Sequence, residues 1–429
     1  MVTVTAATAR PSQRKSVRGK SAQAARPSPR VWAVRVALAL ATATLGCVGV
    51  ASSLANVVVK VEPARAYRLA PWNPAFTAAL AEQLFTQNAR SDENSRPARL
   101  AKQALMQDPT AVTAAAVLGF QAQLRGDGAQ ADRYFAYATR LSRRELRPQI
   151  WAIEQAVSQG DIEGALDRYD VALRTSASAQ DVLFPVLVAA LNEPRIRRSV
   201  LRRMAAQPTW AEPFVAFVAA SGIAPDAAIR FFREGRAFDL PVTDVMRASI
   251  VNTLLEQNRT LEAWGYYASY RPNAQRFRSR DPNFVGAAEG ATPFDWTVPD
   301  QPGLSAGLLR TAEGGLLDFS VPSSIGGTVV TQLQVLTPGR YRLEGRSSGL
   351  EQSGQSPPFW LLACQDGREL GRVPVPNSSL AGGVFAGRFT VPQGCPAQIL
   401  SLMARPTTSL TDTTGQIVRL QLVPARQGE

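Results

Sequence analysis

A shift of 34 residues brings part of this chain onto itself. Gly126-Asp127 recurs as Gly160-Asp161, and at the same shift Ala131 falls on Ala165, Phe135 on Tyr169 and Ala138 on Ala172. One step back, Ala138 maps to Ala104 and Phe135 to Ala101, in a run that closes with Asp108-Pro109. Spacings of four and three put Ala131, Phe135 and Ala138 on one helical face. The small Ala residues let a neighbouring helix approach closely. Gly126 and Gly160 stand where the chain leaves one helix and enters the next, and Asp127 and Asp161 can cap the second helix. Pro97, Pro109, Pro148, Pro194, Pro208, Pro225 and Pro241 fall near expected helix starts, which proline tolerates. One hairpin of this size cannot bury its own apolar stripe, so several must stack. Roughly five to six hairpins are expected over 66–275.

The pattern Gly-Asp, then Ala, an aromatic four residues on and Ala three after that resembles the tetratricopeptide repeat. The resemblance covers about 94–176. It extends to 72–93, where "PWNPAFTAALAEQL" looks like a first helix, and from 181 to 275 only helix length and spacing remain. The resemblance implies a groove that binds peptides or other proteins. Trp151, Trp210 and Trp264 either line that groove or pack between helices. Arg195, Arg197, Arg198, Arg202 and Arg203 form a dense basic cluster. It faces an acidic partner or a lipid surface, or is simply a solvated helix face.

No charged residue occurs from Val36 to Val59. A helix of that length covers about 36 Å, enough for a hydrocarbon core of about 30 Å. A transmembrane helix is therefore expected over 36–59. Residues 1–35 carry Arg10, Arg14, Lys15, Arg18, Lys20, Arg26, Arg30 and Arg35 and no acid. This Pro-, Ser- and Gly-containing tail is expected to be disordered. Its charge places it in the cytoplasm, with the bulk of the chain across the inner membrane, in the periplasm. A cleaved signal peptide is the rival reading, because Ser53-Leu54-Ala55 has the form of a cleavage site. Leu45-Gly46-Cys47 has the form of a lipoprotein box, with Thr44 where Leu is usual.

The character changes at "RPNAQRFRSRDPN", 271–283, which reads as a polar linker. Beyond it, short runs such as "GTVVTQLQVL", "GRYRLEGRS", "FWLLACQ" and "GVFAGRFTV" alternate apolar residues between turns at Pro338-Gly339, Asp366-Gly367 and Gly382-Gly383. Together they indicate an antiparallel β-sandwich over 281–424. Cys364 and Cys395 lie there, on the oxidising side of the expected topology, and are expected to form a disulfide. Two buried thiols are the alternative. "DPNFVGAAEGATPFDW", "LTPGRYRLEGRS" and "GQIVRLQLV" resemble the opening, a Pro-Gly-x-Tyr strand and the last strand of jelly-roll carbohydrate-binding modules. Val285 and Gly286 stand where that family carries an acid. The resemblance implies glycan binding, for which Trp360, Trp296 and Tyr341 are the candidate stacking residues, each of which could equally be core.

The chain carries a formal charge of +13, but much of it sits in the basic tail, so nucleic-acid binding is not expected. It contains no histidine at all. That removes Ser-His-Asp and Cys-His catalysis, the commonest acid–base residue and His-based metal sites. Asp318, Glu344, Asp366 and Glu369 could pair as in a glycosidase, but their spacing shows no pairing. No enzyme, cofactor or metal is expected. The expectation is a multidomain, membrane-anchored adaptor in envelope or exopolysaccharide biogenesis. A protein partner would sit in the helical groove and a polysaccharide on the sandwich. The alternative is a pure protein scaffold with a structural sandwich.

Overall fold

A computed structural model of the 429-residue chain describes residues 29–89, 92–286, 289–312, 314–351, 356–407 and 411–425. It divides into two compact units, Met1–Leu141 and Ser142–Glu429. The change from helix to strand falls later, between Tyr270 and Ser305.

The first unit opens with helix α1, Pro29–Val58, the one described helix long and apolar enough to cross a membrane. It begins seven residues before the charge-free run. Of the tail expected to be disordered, 1–28 lies outside the described residues, whereas 29–35 is helix. Pro29 suits the first helical position, and Val31, Trp32 and Val34 carry the apolar character past Arg30 and Arg35. The helix spans about 45 Å, the depth of a bilayer with its headgroups. After it come α2 (Pro63–Leu69), α3 (Pro74–Gln87), α4 (Arg96–Gln107), α5 (Val112–Leu124) and α6 (Gly128–Leu141). Ala55, at the end of α1, is fully buried in a small cluster with Ala66 and Ala70 around α2 and Phe76 of α3. Helices α3 and α4 form one hairpin, α5 and α6 the next.

The second unit holds four further hairpins. They are α7 (Leu146–Ser158) with α8 (Ile162–Thr175), α9 (Ala179–Ala190) with α10 (Pro194–Met204), α11 (Ala211–Ala220) with α12 (Pro225–Gly235), and α13 (Asp244–Glu256) with α14 (Thr260–Tyr270). The first helices α9, α11 and α13 lie side by side, as do the second helices α8, α10 and α12. This two-layered stack is the TPR-like arrangement that the 34-residue spacing implied.

The repeat motif has a definite job. Gly126 and Gly160 adopt left-handed φ of 79° and 72°. The next amide donates back five residues, Asp127 to Ala122 at 3.0 Å and Asp161 to Ala156 at 2.9 Å. That bond closes the preceding helix. The same two aspartates then cap the following helix, accepting from Gln130 N at 3.0 Å and Gly164 N at 2.9 Å. The α13–α14 turn repeats the geometry with Asn258, φ 59°, and Arg259 N donating to Leu254 at 2.8 Å. Ala131, Phe135, Ala138, Ala165, Tyr169 and Ala172 are all buried. Phe135 lies over Gly119 of α5, where an added Cβ would stand 2.9 Å from the ring.

Nine strands follow among the described residues: β1 Ser305–Thr311, β2 Gly314–Val321, β3 Gly327–Gln334, β4 Gly339–Ser348, β5 Phe359–Cys364, β6 Glu369–Pro374, β7 Val384–Val391, β8 Gln398–Ala404 and β9 Thr413–Pro424. They form two antiparallel sheets in the orders β1-β2-β9-β4-β7 and β3-β8-β5-β6. Strands β2-β9-β4-β7 against β3-β8-β5-β6 make two interlocked Greek keys, the jelly-roll arrangement. Strands β1, β2 and β6 lack the clear periodicity of the others. The burial of β2 alternates strictly even though its sequence, "GGLLDFSV", does not. Cys364 and Cys395 are joined, with Cα atoms 5.6 Å apart.

Gly119→Val is expected to lower stability by about 1–3 kcal/mol by overpacking against Phe135. Gly265→Ala in α14, where an added Cβ meets nothing within 4 Å, is expected to raise it by about 0.5–1 kcal/mol. Urea unfolding followed by circular dichroism checks both. Equal shifts in the same direction would contradict the close α5–α6 approach.

Candidate functional site

The segment 271–283 reads as a polar linker, and the structure packs it against the sandwich. Arg280 is 7% exposed and Ser279 2%. Ser279 N donates to Leu422 O at 3.0 Å, Leu422 N donates to Ser279 Oγ at 2.8 Å, and Leu420 N donates to Pro282 O at 2.8 Å. These bonds tie the segment to β9. On the other side Gln332 of β3 grips Arg280 through both backbone groups, accepting from its N at 3.2 Å and donating to its O at 3.1 Å. The guanidinium then reaches inward. Its Nε donates to Phe294 O and one terminal nitrogen to Leu333 O. It lies 4.8 Å from the Trp264 ring centroid and 5.7 Å from that of Phe294. A desolvated cation over an aromatic face is held by the ring quadrupole.

Helix α14 supplies the other wall. Trp264 packs edge-on against Phe294 at 5.2 Å. The Tyr267 hydroxyl donates to Asp295 Oδ1 at 2.5 Å, and Asp295 Oδ2 accepts from Thr292 N and Oγ1, each at 3.0 Å. One continuous core runs from the helices through Trp264 and Tyr267 to Phe294, Leu333, Val335 and Ala397 of the sandwich. Helical stack and sandwich are thus welded.

Burial dominates the electrostatics of this seam. It raises the Tyr267 hydroxyl well above the usual phenol range, and the Asp295 carboxylate adds to the rise. Burial also raises Tyr270, and pushes Tyr266 up to about 12. It pulls the Arg280 guanidinium down to about 10, opposed by Tyr267 and Asp295, so Arg280 remains charged at neutral pH.

The aromatics named for sugar stacking lie elsewhere than that role requires. Trp360 is 0% exposed, Tyr341 3% and Trp296 4%. Trp296 stacks on Phe284 at 5.0 Å and meets Trp360 at 5.7 Å inside the sandwich. They are the only Trp and Tyr residues between 281 and 424, so the sandwich presents no Trp or Tyr face to solvent. The correction has a simple cause: a two-sheet core needs large side chains, and these rings fill it. Trp210 is likewise buried in the helical stack, Trp264 is buried at the seam with the sandwich, and Trp151 is half-buried.

The four carboxylates do not form a catalytic pair. Asp318 accepts from Gln416, Glu344 pairs with Arg342, Glu369 with Arg372 and Asp366 with Arg368. Asp318 faces Gln416 and Glu344 faces Gln421 across β9. Five residues of strand separate these two by about 17 Å, beyond the roughly 5–9.5 Å of glycoside hydrolysis. Among the described residues there is no cluster of three potential metal ligands.

The outer face of the five-stranded sheet carries a groove of about 860 Å³, with Asn283, Glu344, Arg346, Arg419 and Gln421 among its lining residues. It offers hydrogen-bonding groups without a Trp or Tyr platform. Sequence reasoning missed both this groove and the Arg280 seam. Alternation in β4 and β9 marks outward residues, but nothing in "RPNAQRFRSRDPN" separates buried Arg280 from its exposed neighbours.

No known family profile matches the sequence, and no curated protein matches it. Several solved structures match part of the chain. One is from the Gap123 glycosylation-associated protein complex of Streptococcus agalactiae, at 13% identity over 30% of this chain and 44% of that one, TM-score 0.21. The alignment thus spans under half the length of that protein. PilW, a type IV pilus biogenesis factor, matches at 14% identity over 46% of this chain and 95% of its own, TM-score 0.25. PilF of Pseudomonas aeruginosa matches at 16% identity over 46% and 78%, TM-score 0.22.

Replacing Arg280 with Met leaves the buried carbonyls of Phe294 and Leu333 without their donor, while the Gln332 bonds to the Arg280 backbone remain, and is expected to lower stability by about 2–5 kcal/mol. The seam is also pH-sensitive. Tyr266, Tyr267 and Tyr270 hold their protons more tightly folded than unfolded, so their contribution is complete below about pH 10 and is lost as pH rises above it. Arg280, lowered on folding, works in the opposite sense, one group against three. Urea midpoints are therefore expected to fall between about pH 9 and about pH 11, and Tyr267→Phe to flatten that fall. An unchanged slope in the variant would contradict the buried phenol.

Proposed function

We propose that this chain is a membrane-anchored, periplasm-facing protein scaffold in which the jelly-roll sandwich is a structural cap. Helix α1 holds it in the inner membrane with the basic tail cytoplasmic, and the helical hairpins bind a protein partner. The observation that carries the reading is the continuous core from α14 into the sandwich through Trp264, Tyr267, Phe294 and Leu333. A stack of hairpins ends in an apolar face that must be covered. Here a whole domain covers it, and that domain uses its Trp and Tyr residues for its own core.

An uncleaved anchor is supported by Ala55. Cleavage after Ser53-Leu54-Ala55 would cut inside the last turn of α1, at a residue buried with Ala66, Ala70 and Phe76.

A second reading keeps a glycan on the sandwich. The polar groove with Glu344, Arg346 and Arg419 favours it, with recognition by hydrogen bonds in place of stacking.

Photo-crosslinking of the full chain in its own membranes, followed by intact-mass measurement of the extracted protein, tests the proposal. A mass that includes residues before Asn56 and crosslinks to a discrete protein are expected. A mature N-terminus near Asn56 or Cys47 would overturn the anchor. Crosslinks to polysaccharide alone, lost on Arg346→Ala, would replace the protein scaffold with the glycan reading.

A further inference from the structure

On the second-helix side of the stack, α8, α10 and α12 lie side by side and are laced by ion pairs. Arg203 reaches Asp167 at 2.7 Å and Glu163 at 3.4 Å, Arg202 reaches Glu163 at 2.9 Å, and Arg197 reaches Glu234 at 2.9 Å. Glu163 is held ionised by the Ser199 hydroxyl and by both arginines, which lower its pKa. These bridges use the carboxylates along this face for holding helices together. Asp161 is likewise engaged, capping α8.

Two arginines of the same cluster are left over. Arg195 and Arg198 are exposed and form no carboxylate pair among the described residues; the Arg198 Nε donates to the Pro194 carbonyl, at 3.2 Å. Both line a groove of about 560 Å³ between the start of α8, helix α10 and the 3-10 turn Arg236–Phe238. Gly160, Ile162, Arg202 and Phe238 line it too. Ile162 and Phe238 are half-buried, so the groove has apolar walls beside its guanidinium groups.

We propose that this groove docks an acidic segment of a partner protein, with carboxylates on Arg195 and Arg198 and an apolar side chain against Ile162 and Phe238. The proposal rests on the protein-scaffold reading and names the chemistry of the partner. Charge decides the sign: the lining holds the carboxylates of Asp161 and Glu163 against the guanidiniums of Arg195, Arg198 and Arg202, which leaves an excess of positive charge. Shape decides between a peptide and a lipid surface. A bilayer meets protruding residues, whereas these apolar side chains lie in the walls of a concavity that an extended chain can enter. Rim arginines of this kind govern association and its salt dependence.

The test uses the full chain in detergent and a fluorescein-labelled peptide of alternating glutamate and leucine, read by anisotropy. Arg195→Glu/Arg198→Glu is the variant, since neither side chain holds a helix to its neighbour. Binding to the native chain is expected to weaken with salt and to fall about tenfold or more in the variant. A peptide of alternating lysine and leucine is expected to prefer the variant. Undiminished binding of the acidic peptide in the variant, or no binding to the native chain, overturns the groove. So does loss in the variant of binding to vesicles of phosphatidylglycerol while peptide binding persists, which assigns the arginines to lipid. Membrane crosslinking of the variant separates this failure from that of the scaffold reading. A native crosslink pattern overturns the groove alone, whereas no protein crosslink in either chain overturns the scaffold.

Discussion

The second unit depends on how the end of its helical stack is closed. Helix α14 presents Trp264 and Tyr267 where another hairpin would continue. The sandwich supplies Phe294, Leu333 and Val335 in its place. Arg280 sits at the centre of that contact, its charge balanced by two backbone carbonyls and aromatic faces. Its Nε and one terminal nitrogen are committed to fixed carbonyls, and this makes the seam directional. Apolar packing alone would allow the sandwich to slide over α14. The guanidinium bonds, Gln332 and the Tyr267–Asp295 bond fix one register.

This closure shapes what the sandwich can do. The same jelly-roll topology is compatible with many functions, and topology does not choose among them. Side-chain allocation does. Trp296, Trp360 and Tyr341 are committed to the core, so the surface offers a ligand no Trp or Tyr face. The carboxylates on the two sheets are paired with neighbouring arginines or glutamine. In the helices, arginine has an analogous internal duty: Arg197, Arg202, Arg203 and Arg259 bridge between helices. Unpaired arginines are therefore more informative than the total charge.

Legibility varied with how local the cause was. The Gly126 and Gly160 turns were readable because a left-handed residue followed by a helix cap is written in two adjacent positions. The α13–α14 turn was not, because Asn258 supplies the left-handed φ and Arg259 replaces the capping aspartate. The start of α1 was placed too late because charge was used to mark the helix end, while helix geometry runs through Arg30 and Arg35. Strand β2 escaped because its alternation is one of burial, set by the partner sheet, and not of residue type. Segment 271–283 is polar as read, but its bonds to β3 and β9 are not legible, because composition does not reveal which strands its backbone meets.

The sequence by itself determined the long apolar helix, the hairpin period and its small-residue packing, the sandwich class and the cysteine pair. Each follows from periodicity or from chemistry within a few tens of residues. Only the tertiary structure decided which aromatics were core, which arginines were paired, and that helices and sandwich share one core. Those outcomes depend on contacts between residues far apart in the chain, such as Arg280 with Leu333 or Arg202 with Glu163. A side chain's burial and partners are properties of the assembled neighbours, and no local pattern carries them.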